Sequence, residues 1–243
     1  MTWDARFFIA IFEGGEWCKV HTFSGGKSPG KHCLSALEGL DGEPRRVALV
    51  GREQRLERRM GDAFFDGGSV RALGVEASVD ARDRFHWIRV PRVLTYWSAT
   101  GAARVAVDGR VREAFGVLEH AWGAETRIDV ARLAPSRWRW DVLWLGEDRF
   151  FAGLAVHGFG PRGVARLRVG CGTTNVSAIR IRGRRDRWSG TMRTREGTLR
   201  YEARAATPIS PEVEGGGFLG FTWEGTFGAE RLSGSGFSEF RGA

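Results

Sequence analysis

Residues Trp138 to Leu145 (WRWDVLWL) run with a period of two. Extended backbone sends successive side chains to opposite faces. Trp138, Trp140, Val142 and Trp144 therefore share one face, and Arg137, Arg139, Asp141 and Leu143 the other. The same period returns in Val75, Ala77 and Val79, and in Arg180, Arg182 and Arg184 around Ile181 and Gly183. Helix-period runs are scarce, Arg52 to Met60 (REQRLERRM) being the most helix-permissive. Together with 35 glycines, 16 Phe and 10 Trp, this pattern predicts strands joined by tight turns. Nothing alternates as βαβ, which disfavours a dinucleotide fold and points to an all-β antiparallel barrel or sandwich.

Along the chain, Trp3 to Phe23 reads as one or two strands broken at Gly14-Gly15. Ser24 to Pro44 is polar, aperiodic and rich in turn signals. Its GGKSPGK string lacks the full phosphate-loop spacing and a strand leading into a helix. Ser69 to Val79 reads as a hairpin, and Phe85 to Ile88 as a strand. Asp108-Gly109, placed between alternating apolar residues, is a strong two-residue hairpin signal. Thr126 to Val130 is strand-like, and Phe150 to Phe159 reads as a further strand. Val164 to Gly170, Ser177 to Arg182, Trp188 to Met192 and Leu199 to Ala205 form a meander. Phe218 to Phe227 and the closing SGSGFSEFRG complete the series.

Bulk properties bound the function. The 243 residues, 42% of them hydrophobic, suffice for one large β domain or two small ones. The formal net charge is +8, carried almost entirely by arginine, since Lys19, Lys27 and Lys31 are the only lysines. These arginines are spread along the chain against 29 acidic residues, a distribution that disfavours nucleic acid as a partner. Cys18, Cys33 and Cys171 form no metal-ligand spacing, and the five histidines are scattered, so no metal site and no cofactor is expected. The first apolar run is too short to span a bilayer and lacks a leader pattern, so no transmembrane segment and a cytoplasmic location are expected.

The stretch from Tyr96 to Gly123 concentrates candidate chemistry. Strand alternation sets Glu119 and Ala121 on one face, and His120 and Trp122 on the other. In order, Tyr96-Trp97-Ser98, Gly101, Val107-Asp108-Gly109, Gly116, Glu119-His120-x-Trp122-Gly123, Trp138-x-Trp140 and the closing Gly234, Gly236, Phe237, Glu239 and Gly242 resemble a known pattern. It is that of the lipocalin-like superfamily containing AttH-like proteins, carotenoid hydratases related to hydroxyneurosporene synthase and some fungal Diels–Alderases. Glu119 stands where the hydratases have aspartate, and Phe237 where the pattern has tyrosine.

The resemblance implies two lipocalin-like antiparallel β-barrel or half-barrel units, residues 1–124, shortened, and residues 125–243. The function expected is binding of a hydrophobic, isoprenoid- or lipid-like small molecule in a barrel cavity. Trp97, Trp122, Trp138, Trp140 and Trp144 are the candidate lining. One alternative is a cofactor-independent hydratase, isomerase or cyclase using Glu119 or His120 as general acid. Another is a structural or interaction protein with filled barrels. Gly116, Gly123, Gly234, Gly236, Phe237 and Glu239 are read as structural, the glycines marking turns, bulges or close strand contacts. The residues leave the oligomeric state open.

Overall fold

The computed structural model describes residues 2–24, 32–38, 45–51, 68–72, 75–90, 94–107, 109–124, 137–146, 149–157, 164–169, 172–176, 178–211 and 216–241. The helix-permissive run 52–60, the GGKSPGK string and the strand-like segment 126–130 lie outside them. The described residues are strand throughout apart from turns and one 3₁₀ turn, Glu13–Gly15. They form two curled antiparallel half-barrel sheets. No helix among them is long and apolar enough to cross a membrane.

The first sheet contains β1 (Thr2–Ile11), β2 (Trp17–Ser24), β3 (His32–Glu38), β4 (Arg45–Gly51), β5 (Ser69–Ala72), β6 (Val75–Val90), β7 (Leu94–Val107) and β8 (Arg110–Ala124), in the order β4-β3-β2-β1-β8-β7-β6-β5. The second contains β9 (Arg137–Gly146), β10 (Arg149–His157), β11 (Val164–Val169), β12 (Gly172–Val176), β13 (Ala178–Gly183), β14 (Arg187–Arg193), β15 (Thr198–Ala205), β16 (Ser210–Pro211), β17 (Gly216–Phe227) and β18 (Glu230–Arg241). Its order is β12-β11-β10-β9-β18-β17-β15-β14-β13, with β16 attached to β17. The two sheets share one plan. A four-strand meander is followed by a second meander whose last strand returns beside the first strand.

The chain divides into two compact units. The first comprises residues 1–10, 18–38 and 45–133, and the second residues 11–17, 39–44 and 134–243. The turn between β1 and β2 thus belongs to the second unit.

Local sequence explains most of these strands. In β15, Leu199, Tyr201 and Ala203 are buried while Arg200, Glu202 and Arg204 are exposed, the alternation of a sheet with one wet face. The hairpins are tight. Val107 pairs with Arg110 around Gly109 (φ 82°), and Phe227 with Glu230 around Gly228 (φ 61°). Between β14 and β15, Thr194 Oγ1 accepts the Glu196 and Gly197 N–H groups, both at 3.1 Å. β3 departs from expectation, because a strand forms inside the stretch that reads as aperiodic. Hydrogen-bonded neighbours β2 and β4 on both sides supply what its own pattern lacks.

The second unit contains a buried aromatic cluster. Phe151, Trp188, Tyr201, Phe221, Trp223 and Phe240 meet there at exposures of 3% or less. Glycines make room for the rings. A Cβ at Gly190 would overlap the Tyr201 ring, and one at Gly236 the Phe221 ring. The 11–17 segment covers the opposite face of β17 and β18. There Trp17 lies 5.2 Å from Phe237 and donates its indole N–H to Thr207 Oγ1 at 3.1 Å. Gly220 pairs with Phe237 across this face, and a Cβ on it would overlap the Gly15 carbonyl oxygen.

Candidate functional site

In the first unit, β7 and β8 pair in register from Leu94↔Gly123 to Val107↔Arg110. Residues paired across an antiparallel ladder share a face. One face carries Trp97↔His120, Ala99↔Leu118, Gly101↔Gly116 and Ala103↔Ala114. It continues onto β6 through Val79, opposite Ala103, and Ala77, opposite Val105. Apart from Leu118, the middle of this wall is Ala, Gly and Val. A Cβ at Gly116 would come within 2.9 Å of both Ala103 Cβ and Val79 Cγ1. Gly123 pairs with Leu94 at the end of the ladder.

At that end the wall turns aromatic. His120 stacks on Trp122 with ring centroids 4.3 Å apart and planes 30° apart. Trp97 meets His120 edge-on at 5.9 Å. Trp97 is buried, His120 half-buried, and Trp122 keeps 37% of its surface exposed. The two indoles offer apolar faces and the imidazole adds a polar ring beside them, so the cluster combines aromatic surface with one polar side chain.

Glu119 lies on the other face. It is 3% exposed, and its Oε1 accepts the Tyr96 hydroxyl at 2.5 Å and the Ser98 hydroxyl, its cross-strand partner, at 2.9 Å. Thr100 Oγ1, on the same face, is buried and has no hydrogen-bond partner among the described residues. Alternation therefore brings Trp97, His120 and Trp122 together and separates Glu119 from them.

The remaining sequence candidates lie in the second unit. The closing motif on β18 pairs with the aromatic strand β9: Ser235↔Trp144, Phe237↔Val142, Glu239↔Trp140 and Arg241↔Trp138. Trp140 is 3% exposed, with its ring 6.3 Å from Phe237 and its buried indole N–H without a partner among the described residues. Trp138 and Trp144 are half-buried. Gly234 lies against the Trp144 carbonyl, and Phe237 is fully buried.

The opposite face of β9 holds a cluster that the strand pattern alone does not reveal. Asp141, with no exposed surface, accepts four hydrogen bonds. Arg139 Nε (3.0 Å) and Ser238 Oγ (2.6 Å) donate to Oδ1, and Trp188 Nε1 and Tyr201 OH (both 2.8 Å) to Oδ2. The Arg139 guanidinium lies 3.4 Å from the Trp188 ring centroid, a cation–π contact, and its buried Nη2 has no hydrogen-bond partner among the described residues. Burial pushes the Tyr201 phenol well above its usual pKa, and the charge of Asp141 adds to the rise. The available signal was Arg139 and Asp141 two apart on a strand whose other face is aromatic. Such spacing places an ion pair on a face that is itself buried. Among the described residues no group of three or more His, Cys, Asp or Glu could hold a metal ion.

The fold defines the class: an all-β protein built of lipocalin-like half-barrels. The chain is similar to the AttH-assigned protein of Nitrosomonas europaea, at 12% identity and a TM-score of 0.59, over 98% of this chain and 92% of that one. It is also similar to CghA solved with Sch210972, at 14% identity and a TM-score of 0.52, over 99% and 88% of the two chains. At these identities the likeness establishes the fold. No family profile and no curated protein matches the sequence.

Proposed function

We propose that this protein binds a hydrophobic small molecule, isoprenoid- or lipid-like, against the β7–β8 wall of the first unit, gripped by Trp97, His120 and Trp122. The observation that carries the reading is the Trp122 indole, held 37% exposed by stacking on His120 at the end of a wall chiefly of Ala, Gly and Val. A rigid aromatic face presented to solvent beside apolar surface and one polar group is the usual composition of a small-molecule site. The fold shared with CghA, whose structure was solved with Sch210972, also supports it. The buried aromatic cluster of the second unit, which offers no exposed ring face, favours the first unit as the seat of the ligand.

The second reading is cofactor-independent hydration, isomerisation or cyclisation of such a molecule. The buried Glu119 carboxylate favours it, held by two hydroxyls. Because Glu119 and His120 face opposite ways, the two act at different places, and any chemistry at the Trp122 cluster falls to His120.

The test is to incubate the purified protein with a cell lipid extract, re-isolate it, and identify retained molecules by native mass spectrometry. A discrete apolar ligand, retained by the native protein and by Trp140→Phe but lost from Trp122→Ala, is the expected result. Retention by Trp122→Ala together with loss from Trp138→Ala or Trp144→Ala would move the site to the second unit. Absence of any ligand across extracts rich in isoprenoids and fatty acids would leave the filled-barrel reading.

A further inference from the structure

The outer surface of β14, β15, β17 and β18 carries a groove of about 740 Å³ that crosses the strands. Its floor is the row Gly190, Tyr201 and Gly225, whose side-chain positions alternate into the barrel and leave mainly backbone facing outward. One wall is the next row of the ladder, where Arg200 and Arg231 flank Thr226. The other wall is Glu202 beside Glu224, with Ser189 and Ser233 at the two ends.

The charges of this groove are unevenly committed. Glu202 Oε2 pairs with Arg187 Nη2 at 3.2 Å, and Arg187 lies outside the lining. Arg200, Arg231 and Glu224 make no ion pair among the described residues. Two guanidiniums and one carboxylate are therefore available to a ligand, together with flanking hydroxyls. Each guanidinium can take a carboxylate or sulfate through paired N–H donors. Arg200 and Arg231 stand two strands apart, about 10 Å at ordinary strand spacing, so one ligand can satisfy both through anionic groups at that interval. Glu224 and the serines suit hydroxyl groups between them. The lining holds no exposed aromatic face on which a base could stack, and its carboxylate wall opposes a continuous phosphate backbone, so single-stranded nucleic acid fits poorly.

We propose that this groove binds an acidic oligosaccharide, a polyol chain with anionic groups about 10 Å apart, across β14, β15, β17 and β18. This site is separate from the Trp122 cluster, and neither depends on the other. The test is calorimetric titration of the full chain with three tetrasaccharides: hyaluronan-derived (carboxylate), κ-carrageenan-derived (sulfate) and a neutral cellulose-derived control. Binding of at least one acidic tetrasaccharide, none of the neutral one, and about tenfold or greater weakening in Arg200→Ser and in Arg231→Ser is expected, since a hydrogen bond to a charged group is at stake. The two acidic probes tell whether carboxylate or sulfate is the preferred anion. Both arginines are exposed, so the variants should keep the native circular dichroism, and Arg104→Ser on the first unit should bind as the native chain does. Failure of both acidic probes to bind, equal binding by the arginine variants, or equal affinity for a single-stranded oligonucleotide would overturn the proposal.

Discussion

Replacing Asp141 with alanine tests how the second unit is held together. The substitution removes the acceptor of four buried donors. The Ser238 and Tyr201 hydroxyls can rotate towards other partners, but the Trp188 indole N–H and Arg139 Nε cannot. A buried donor left unpaired costs about 1–3 kcal/mol. Breaking a buried ion pair from one side costs about 3–5 kcal/mol, because the remaining charge is uncompensated. These penalties overlap at Arg139, so the expected loss is about 4–6 kcal/mol, a large share of what a domain possesses. Urea unfolding followed by near-ultraviolet circular dichroism measures it, and at a typical slope the midpoint falls by about 2 M or more. Arg139→Met with Asp141→Leu removes both charges and should recover about half of the loss, since only the Trp188, Tyr201 and Ser238 donors then lack Asp141. A loss below about 1 kcal/mol for Asp141→Ala, or a double variant worse than the single, would refute the reasoning.

Other consequences can be checked separately. Tyr96 and Tyr201 are the only tyrosines, and the phenol of Tyr201 is raised by burial and by Asp141. Its contribution to stability is fully present below the unfolded value of about 10 and is lost as pH rises towards the folded value, because only the unfolded chain ionises in that window. An alkaline absorbance titration should therefore show one tyrosine ionising only as the fold is lost, a delayed step absent from Tyr201→Phe. Trp17→Phe retains a ring against Phe237 but loses the bond to Thr207, and should cost about 1–2 kcal/mol in thermal unfolding. Trp17→Ala should cost about 3–5 kcal/mol. Gly101→Ala would force a Cβ into the Asp80 carbonyl oxygen, so a clear fall in melting temperature is expected, whereas Gly109→Asn at the open hairpin (φ 82°) should change it little.

The strand architecture was legible because most of it rests on local chemistry. Asp108-Gly109 marks the β7–β8 hairpin, and TLRYEARA alternates cleanly enough to name the buried face of β15. The clustering of His120 with Trp122, and the opposite direction of Glu119, also follow from alternation. What stayed hidden was non-local. β3 is a strand because two neighbours pair with it, and Ile11–Trp17 gives no local sign of belonging to the second unit. Three of the four donors to Asp141 come from positions 47, 60 and 97 residues away, a convergence that only the closed sheet creates.

The return of each last strand beside the first has a kinetic consequence. In the second unit, β18 meets β9 across a separation of 97 residues at the Ser238–Asp141 bond. Joining ends that far apart costs about 4 kcal/mol of chain entropy before the contact gives anything back. Hairpins such as β14–β15 form early and cheaply, while the seam that completes the Asp141 cluster must wait for the slowest encounter. Refolding of this unit should therefore be limited by that closure, in the millisecond-to-second range typical of sheets dominated by distant pairings. A cut within the 97-residue span would turn the closing step into a bimolecular one, with a rate that depends on protein concentration.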